Sequence, residues 1–213
     1  MRKALTTPRA AGVAGVLFAV LFAISIVLMR IALDRHTDAA AIWTGPEADQ
    51  IRWALNLIPY AGIAFLWFIG VVRDRLGDLE DKFFATVFLG SGLVFLAMLF
   101  TSSAVAGGIL AAAEADAAAS SQVMTFARGE MLETTNVYAL RMAGVFMISL
   151  GTVWLRTGLM KRWTVGLTYA LALTLLVMIN FSLWVQLVFP AWTLMISVLI
   201  LLKSSRKAML IEE

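Results

Sequence analysis

The chain has no cysteine, and this absence removes disulfides, thiolate zinc sites, iron–sulfur clusters and cysteine nucleophiles together. It also leaves the redox compartment unreadable. Histidine is nearly absent too: His36 stands alone among 213 residues, which argues against paired axial imidazoles on a haem and against a histidine-rich metal transporter. Charge is scarce at 15% of residues, against about 25% in soluble domains. No Ser-His-Asp set can be assembled around one loop histidine, and no pair of carboxylates stands at a glycosidase-like spacing. Enzyme, including an intramembrane or lipid-modifying one, is therefore the least supported class, and no cofactor is expected.

What fills the composition is apolar: 61% of residues are hydrophobic and the mean hydropathy is +0.88. That is the signature of a membrane protein. The fold class expected is an all-α, polytopic integral membrane helical bundle of about six transmembrane helices in a single domain, 1–213. Spans are expected at about 10–33, 53–72, 83–103, 137–155, 163–180 and 183–202.

The first of these follows basic residues in "MRKALTTPRA", as a secretory signal would. Its apolar run continues for about 20 residues without a small-residue cleavage site, so it reads as a retained span. Residues 34–52 carry charge, a Gly-Pro turn and Trp43, and read as an aqueous loop with an interfacial anchor. After Ser103 comes the alanine-rich "AVAGGILAAAEADAAASSQVM", whose composition suits a projecting helix or a mobile loop equally. The uncharged stretch from Trp163 to Leu202 would be about 60 Å long as one helix, twice the hydrocarbon thickness. It must fold back, with "NFS" at 180–182 as the turn and Pro190 kinking the sixth span.

Basic residues fix the orientation. Arg2, Lys3, Arg9, Arg73, Arg75, Lys82, Arg156, Lys161, Arg162, Lys203, Arg206 and Lys207 fall on one side of a six-span chain, which is twelve of the seventeen bases. The bias places both termini in the cytoplasm of a bacterial-type cell with the chain in its inner membrane. The sequence pI near 9.5 is explained by these span-end bases, so nucleic acid is not an expected partner.

Several residues carry candidate roles. Arg30 and Arg141 lie near the outer ends of spans, where each can contact an anion or a lipid headgroup, or snorkel to the interface. "DRHTD" offers Asp34, His36 and Asp38 at alternate positions, but no fourth metal ligand accompanies them at a diagnostic spacing. The hinge "RDRLGDLEDKFF" holds Asp74, Asp78, Glu80 and Asp81, which can dock a cytoplasmic partner. Its simpler reading is a turn, with Arg73 and Arg75 ending one helix, Gly77 leaving it and Asp78 capping the next. Gly90, Ser91, Gly92, Ser102, Ser103, Gly107 and Gly108 read as a small-residue packing surface. Asn56, Asn180, Ser182 and Gln186 read as bonds between helices or as the lining of a cavity.

The functional expectation is a non-catalytic multi-pass protein, a membrane-embedded subunit or scaffold. The alternative is a passive ion channel or small-solute transporter, suggested by polar spots near Pro59 and Pro190. Expected partners are the lipid bilayer and a second copy or another membrane protein.

Overall fold

The structure is a computed structural model that describes residues 7–34, 41–76, 82–115, 121–178 and 182–212. Helix dominates it, and no strand occurs among the described residues. The elements are α1 (Thr7–Asp34), a short α2 (Ala41–Thr44), α3 (Glu47–Leu76), α4 (Lys82–Ala115) and α5 (Ser121–Glu133). A π turn (Thr134–Ala139) runs directly into α6 (Leu140–Thr157), followed by α7 (Arg162–Val177). A 3-10 turn (Leu183–Leu187) then leads into α8 (Val188–Glu212). Five stretches are long and apolar enough to cross a membrane: Ala10–Leu33, Glu47–Arg73, Phe83–Ala115, Gln122–Thr157 and Trp184–Lys203. The helical membrane-type bundle expected from composition is what forms.

Local sequence explains the element ends. Glu47 and Asp49 occupy the first turn of α3, where carboxylates complement the positive end of the helix dipole. Gly158 closes α6 at φ +67°, a left-handed conformation that glycine adopts without steric cost, and Arg156 sits in the last turn before it. Lys203 donates from Nζ to the Leu159 carbonyl at 3.0 Å, tying α8 to the turn between α6 and α7.

Successive long helices pack antiparallel. Gly12 faces Leu201 and Gly15 faces Ser197, which sets the start of α1 beside the end of the α8 span. Gly62 meets Phe100 and Gly92 meets Ile69 between α3 and α4, and Gly144 meets Leu176 between α6 and α7. Where helices touch this closely a side chain would clash, and in a bilayer such close packing supplies much of the association energy. The glycines expected to pack divide accordingly. Gly92 is needed, whereas a Cβ at Gly90, Gly107 or Gly108 would meet nothing within 4 Å.

Two hydrophobic clusters result. The larger runs through the bundle centre on Phe18, Phe65, Phe95, Phe146, Phe189 and Trp192, drawn from α1, α3, α4, α6 and α8. Its rings form an unbroken series, from Phe18–Phe65 at 4.6 Å through Phe65–Phe146 at 5.2 Å to Phe146–Trp192 at 6.2 Å between centroids. The smaller cluster joins Ala32 and Leu33 of α1, Ile42 and Trp43 of α2, Ile51 of α3, Leu110 of α4, and Met124 and Met131 of α5.

That second cluster corrects the reading of 34–52 as an aqueous loop. Among its described residues, Ile42 and Trp43 are buried, and helix α3 already begins at Glu47. Trp43 is a core residue because α2 packs against α3 and the extended α4, within the cluster that α5 also joins. The alanine-rich segment supplies that reach: α4 continues past Ser103 to Ala115, 34 residues or about 51 Å. Of the two forms that composition allowed, the described part of the segment takes the helical one.

Three further expectations shift. The helix containing the 137–155 span starts at Ser121, upstream of the expected entry point. Trp53, Trp154, Trp163 and Trp184 stand near expected span ends, where they read as interfacial anchors; Trp154 is instead buried 6.2 Å from Trp192, while the other three are exposed. Pro190 stands in the first turn of α8, where a missing N–H costs no helical bond, so the change of helix type precedes it at Leu187. The turn expected at 180–182 falls in part on Asn180 and Phe181, which lie outside the described residues. Ser182 is described, and its hydroxyl accepts from the Trp184 N–H at 3.3 Å.

Candidate functional site

Polar groups gather in the half of the bundle nearest the second cluster. Ser25 Oγ on α1 donates to the Ala54 carbonyl of α3 at 2.8 Å, an exchange made possible by the close α1–α3 contact. Ser102 of α4 donates to the Met131 carbonyl of α5 at 2.9 Å and lies 2.6 Å from Thr135 Oγ1. Because the Ser102 hydroxyl has one proton and spends it on Met131, Thr135 is the donor in the second bond. Gln186 Nε2 donates to Asn136 Oδ1, joining the 3-10 turn to the π turn.

The π turn places two of these partners. Its backbone follows an i→i−5 pattern, with the Leu140 N–H reaching the Thr135 carbonyl, so one extra residue is accommodated within the turn. The turn sets Thr135 toward Ser102 and Asn136 toward Gln186. Arg141 Nη1 donates to the Val137 carbonyl at 3.1 Å, inside the same turn.

Arg30 completes the layer. It is only 5% exposed, so this guanidinium lies within the protein instead of snorkelling to a surface. With Ser25, Ser102, Thr135 and Gln186 it lines a cavity of about 60 Å³ whose other walls include Phe22, Met29 and Leu132. That volume suits a few ordered waters. Among the described residues, no carboxylate, imidazole or thiol lines it. The layer is built of hydroxyl and amide groups beside one guanidinium.

Next to this cavity a larger groove of about 530 Å³ opens between α3 and α4. Leu55, Ile58 and Ser103 line both spaces and form the wall between them. One end of the groove is polar, with Arg52 paired to Glu114 across the helices and to Asp49 along α3. Asn56 stands one turn below. The other end is apolar, at Pro59 and Phe100.

The residues singled out from sequence are thus distributed unevenly. Arg30 lines the cavity, whereas the Arg141 guanidinium turns back on its own helix. Arg73 is exposed three residues before the end of α3, and α3 and α4 bracket the expected hinge. Asp74 is on α3 with its side chain outside the described residues, and Asp78, Glu80 and Asp81 also lie outside them. The same holds for His36, Asp38 and the side chain of Asp34, and among the described residues no group of three acids or histidines could hold a metal. Gln186 both bonds between helices and lines the cavity, while Asn56 lines the groove. Ser102, Thr135 and Asn136 are the site residues not singled out as a set, since their pairing depends on the π turn. The polar run "ETTN" at 133–136, just ahead of the apolar 137–155 stretch, was the available signal.

Compared with protein-family models, curated proteins and solved structures, the chain matches none.

Proposed function

We propose that the chain is a non-catalytic multi-pass protein of a bacterial-type inner membrane, acting as a membrane-embedded subunit or scaffold. The observation that carries this reading is the filled interior. Phe18, Phe65, Phe95, Phe146 and Phe189 are all fully buried and in ring contact, so the bundle axis offers no wet path to an ion or solute. A passive pore needs polar or hydrated lining along its length. Here the polar layer is short and backed by Phe22.

Six spans with both ends cytoplasmic belong to the same proposal. It is supported by the antiparallel alternation of the long helices and by the basic residues near Gly12 and Leu201. The span added to the five long ones is the fifth in chain order, α7, at 16 residues and about 24 Å. The hinge acids Asp74, Asp78, Glu80 and Asp81 are the proposed cytoplasmic docking residues.

Cross-linking in native membranes, followed by purification in mild detergent, tests the role. A stoichiometric second chain, foreign or identical, is expected. A chain that remains uncross-linked and monomeric contradicts the subunit reading.

A further inference from the structure

The groove between α3 and α4 has a polarity gradient along its length. Helix α3 descends from Arg52 to Pro59 while α4 ascends from Phe100 to Glu114, so both helices put their charges at the same end. Along α4 this wall covers 14 residue steps, about 21 Å. Ala104, Gly107 and Ala111, three and four residues apart, keep the α4 face low, and a side chain built at Gly107 would meet nothing within 4 Å.

A space of this kind does not stay empty in a bilayer. Its apolar end disfavours water, an unfilled wall forfeits dispersion contacts, and acyl chains are the apolar filler at hand. The polar end then selects among lipids. Arg52 stands between the carboxylates of Asp49 and Glu114, an arrangement of one cation and two anions. It complements a headgroup that carries a phosphate and an ammonium, with the phosphate on Arg52 and the ammonium on the acids.

We propose that this groove binds one phospholipid with a phosphoethanolamine headgroup, its head at Arg52 and Glu114 and an acyl chain along Pro59, Phe100 and Gly107. The inference rests on the chain lying in a bilayer and is independent of the subunit reading.

Because the chain has no cysteine, a single introduced thiol is a clean reporter. Ala111→Cys sits in the groove wall, and Val123→Cys, at an exposed position of α5, serves as the control. Each is labelled with a maleimide in detergent, with phosphatidylethanolamine, phosphatidylglycerol or water-soluble glycerophosphoethanolamine added. At a lipid concentration roughly ten times Kd, phosphatidylethanolamine should slow labelling at position 111 by about tenfold, because only the empty groove reacts. Labelling at position 123 should not change, and the soluble headgroup should have no effect. Adding Gly107→Leu, which fills open space and favours helix, should abolish the lipid dependence. Glu114→Gln should remove the preference over phosphatidylglycerol. The proposal is overturned if lipid leaves position 111 unprotected, if position 123 is protected equally, if the unsubstituted groove does not distinguish the two lipids, if the soluble headgroup protects as well, or if protection survives Gly107→Leu.

Discussion

Thr168 and Ser197 are both fully buried hydroxyl residues in the bundle, and their surroundings give them opposite values. Thr168 Oγ1 donates to the Thr164 carbonyl and accepts from Trp192 Nε1, both at 2.9 Å. Thr168→Val keeps the shape and strands the indole N–H, which should cost about 1–3 kcal/mol. Ser197 Oγ has no hydrogen-bond partner among the described residues, so Ser197→Ala removes an unsatisfied group and should be neutral or stabilising by up to about 1 kcal/mol. Unfolding by sodium dodecyl sulfate titration measures both. Equal destabilisation by the two substitutions would show that hydrogen bonding is not what distinguishes the sites. In the polar layer, Thr135→Val deprives Ser102 of a donor but leaves its bond to Met131, so a smaller loss of about 1 kcal/mol is expected by the same titration.

Helix contacts make the glycines testable in the same way. A Cβ at Gly15 would lie 2.0 Å from Ser197 Oγ and 2.8 Å from a Phe68 ring carbon, so Gly15→Ala should destabilise by about 1–3 kcal/mol through overpacking. Gly90→Ala enters open space and should be neutral or stabilising by up to about 1 kcal/mol from helix propensity alone. Thermal denaturation in mild detergent separates them, and a reversed order would contradict the antiparallel packing of α1 on α8. The sequence had exposed the long apolar segments, since hydropathy depends on local composition. It did not expose which glycines touch, because spacing along one helix does not say which face meets a neighbour. Trp43 shows the same limit: "DRHTDAAAIWTGPEADQIR" is polar enough to read as a wet loop, and its indole is buried in a cluster that forms only once α3 and the extended α4 pack against α2. Arg30 was legible as a base near a span end, but its place beside Ser102, Thr135 and Gln186 depends on a π turn that periodicity did not reveal.

At the scale of the whole molecule, two packed clusters stacked along the helices define the protein: an aromatic centre and an outer cluster built from α2, α5 and the far ends of α1, α3 and α4. The polar layer lies where they adjoin, as shown by Leu33 and Met131 of the outer cluster and Phe22 of the centre lining the same cavity. Buried polar groups at such a junction are best satisfied in one register, so the layer also specifies how the two halves fit. The proposed topology is testable at the same scale. Reporter fusions at residue 1 and residue 213 should both give the cytoplasmic signal, and a split result would overturn the six-span orientation. The central claim, that the interior is filled and non-conducting, is tested most directly by reconstituting the purified chain into liposomes and measuring ion and small-solute flux under an imposed gradient. The account predicts flux equal to that of protein-free liposomes; a saturable or voltage-dependent flux that scales with the amount of reconstituted chain would contradict it.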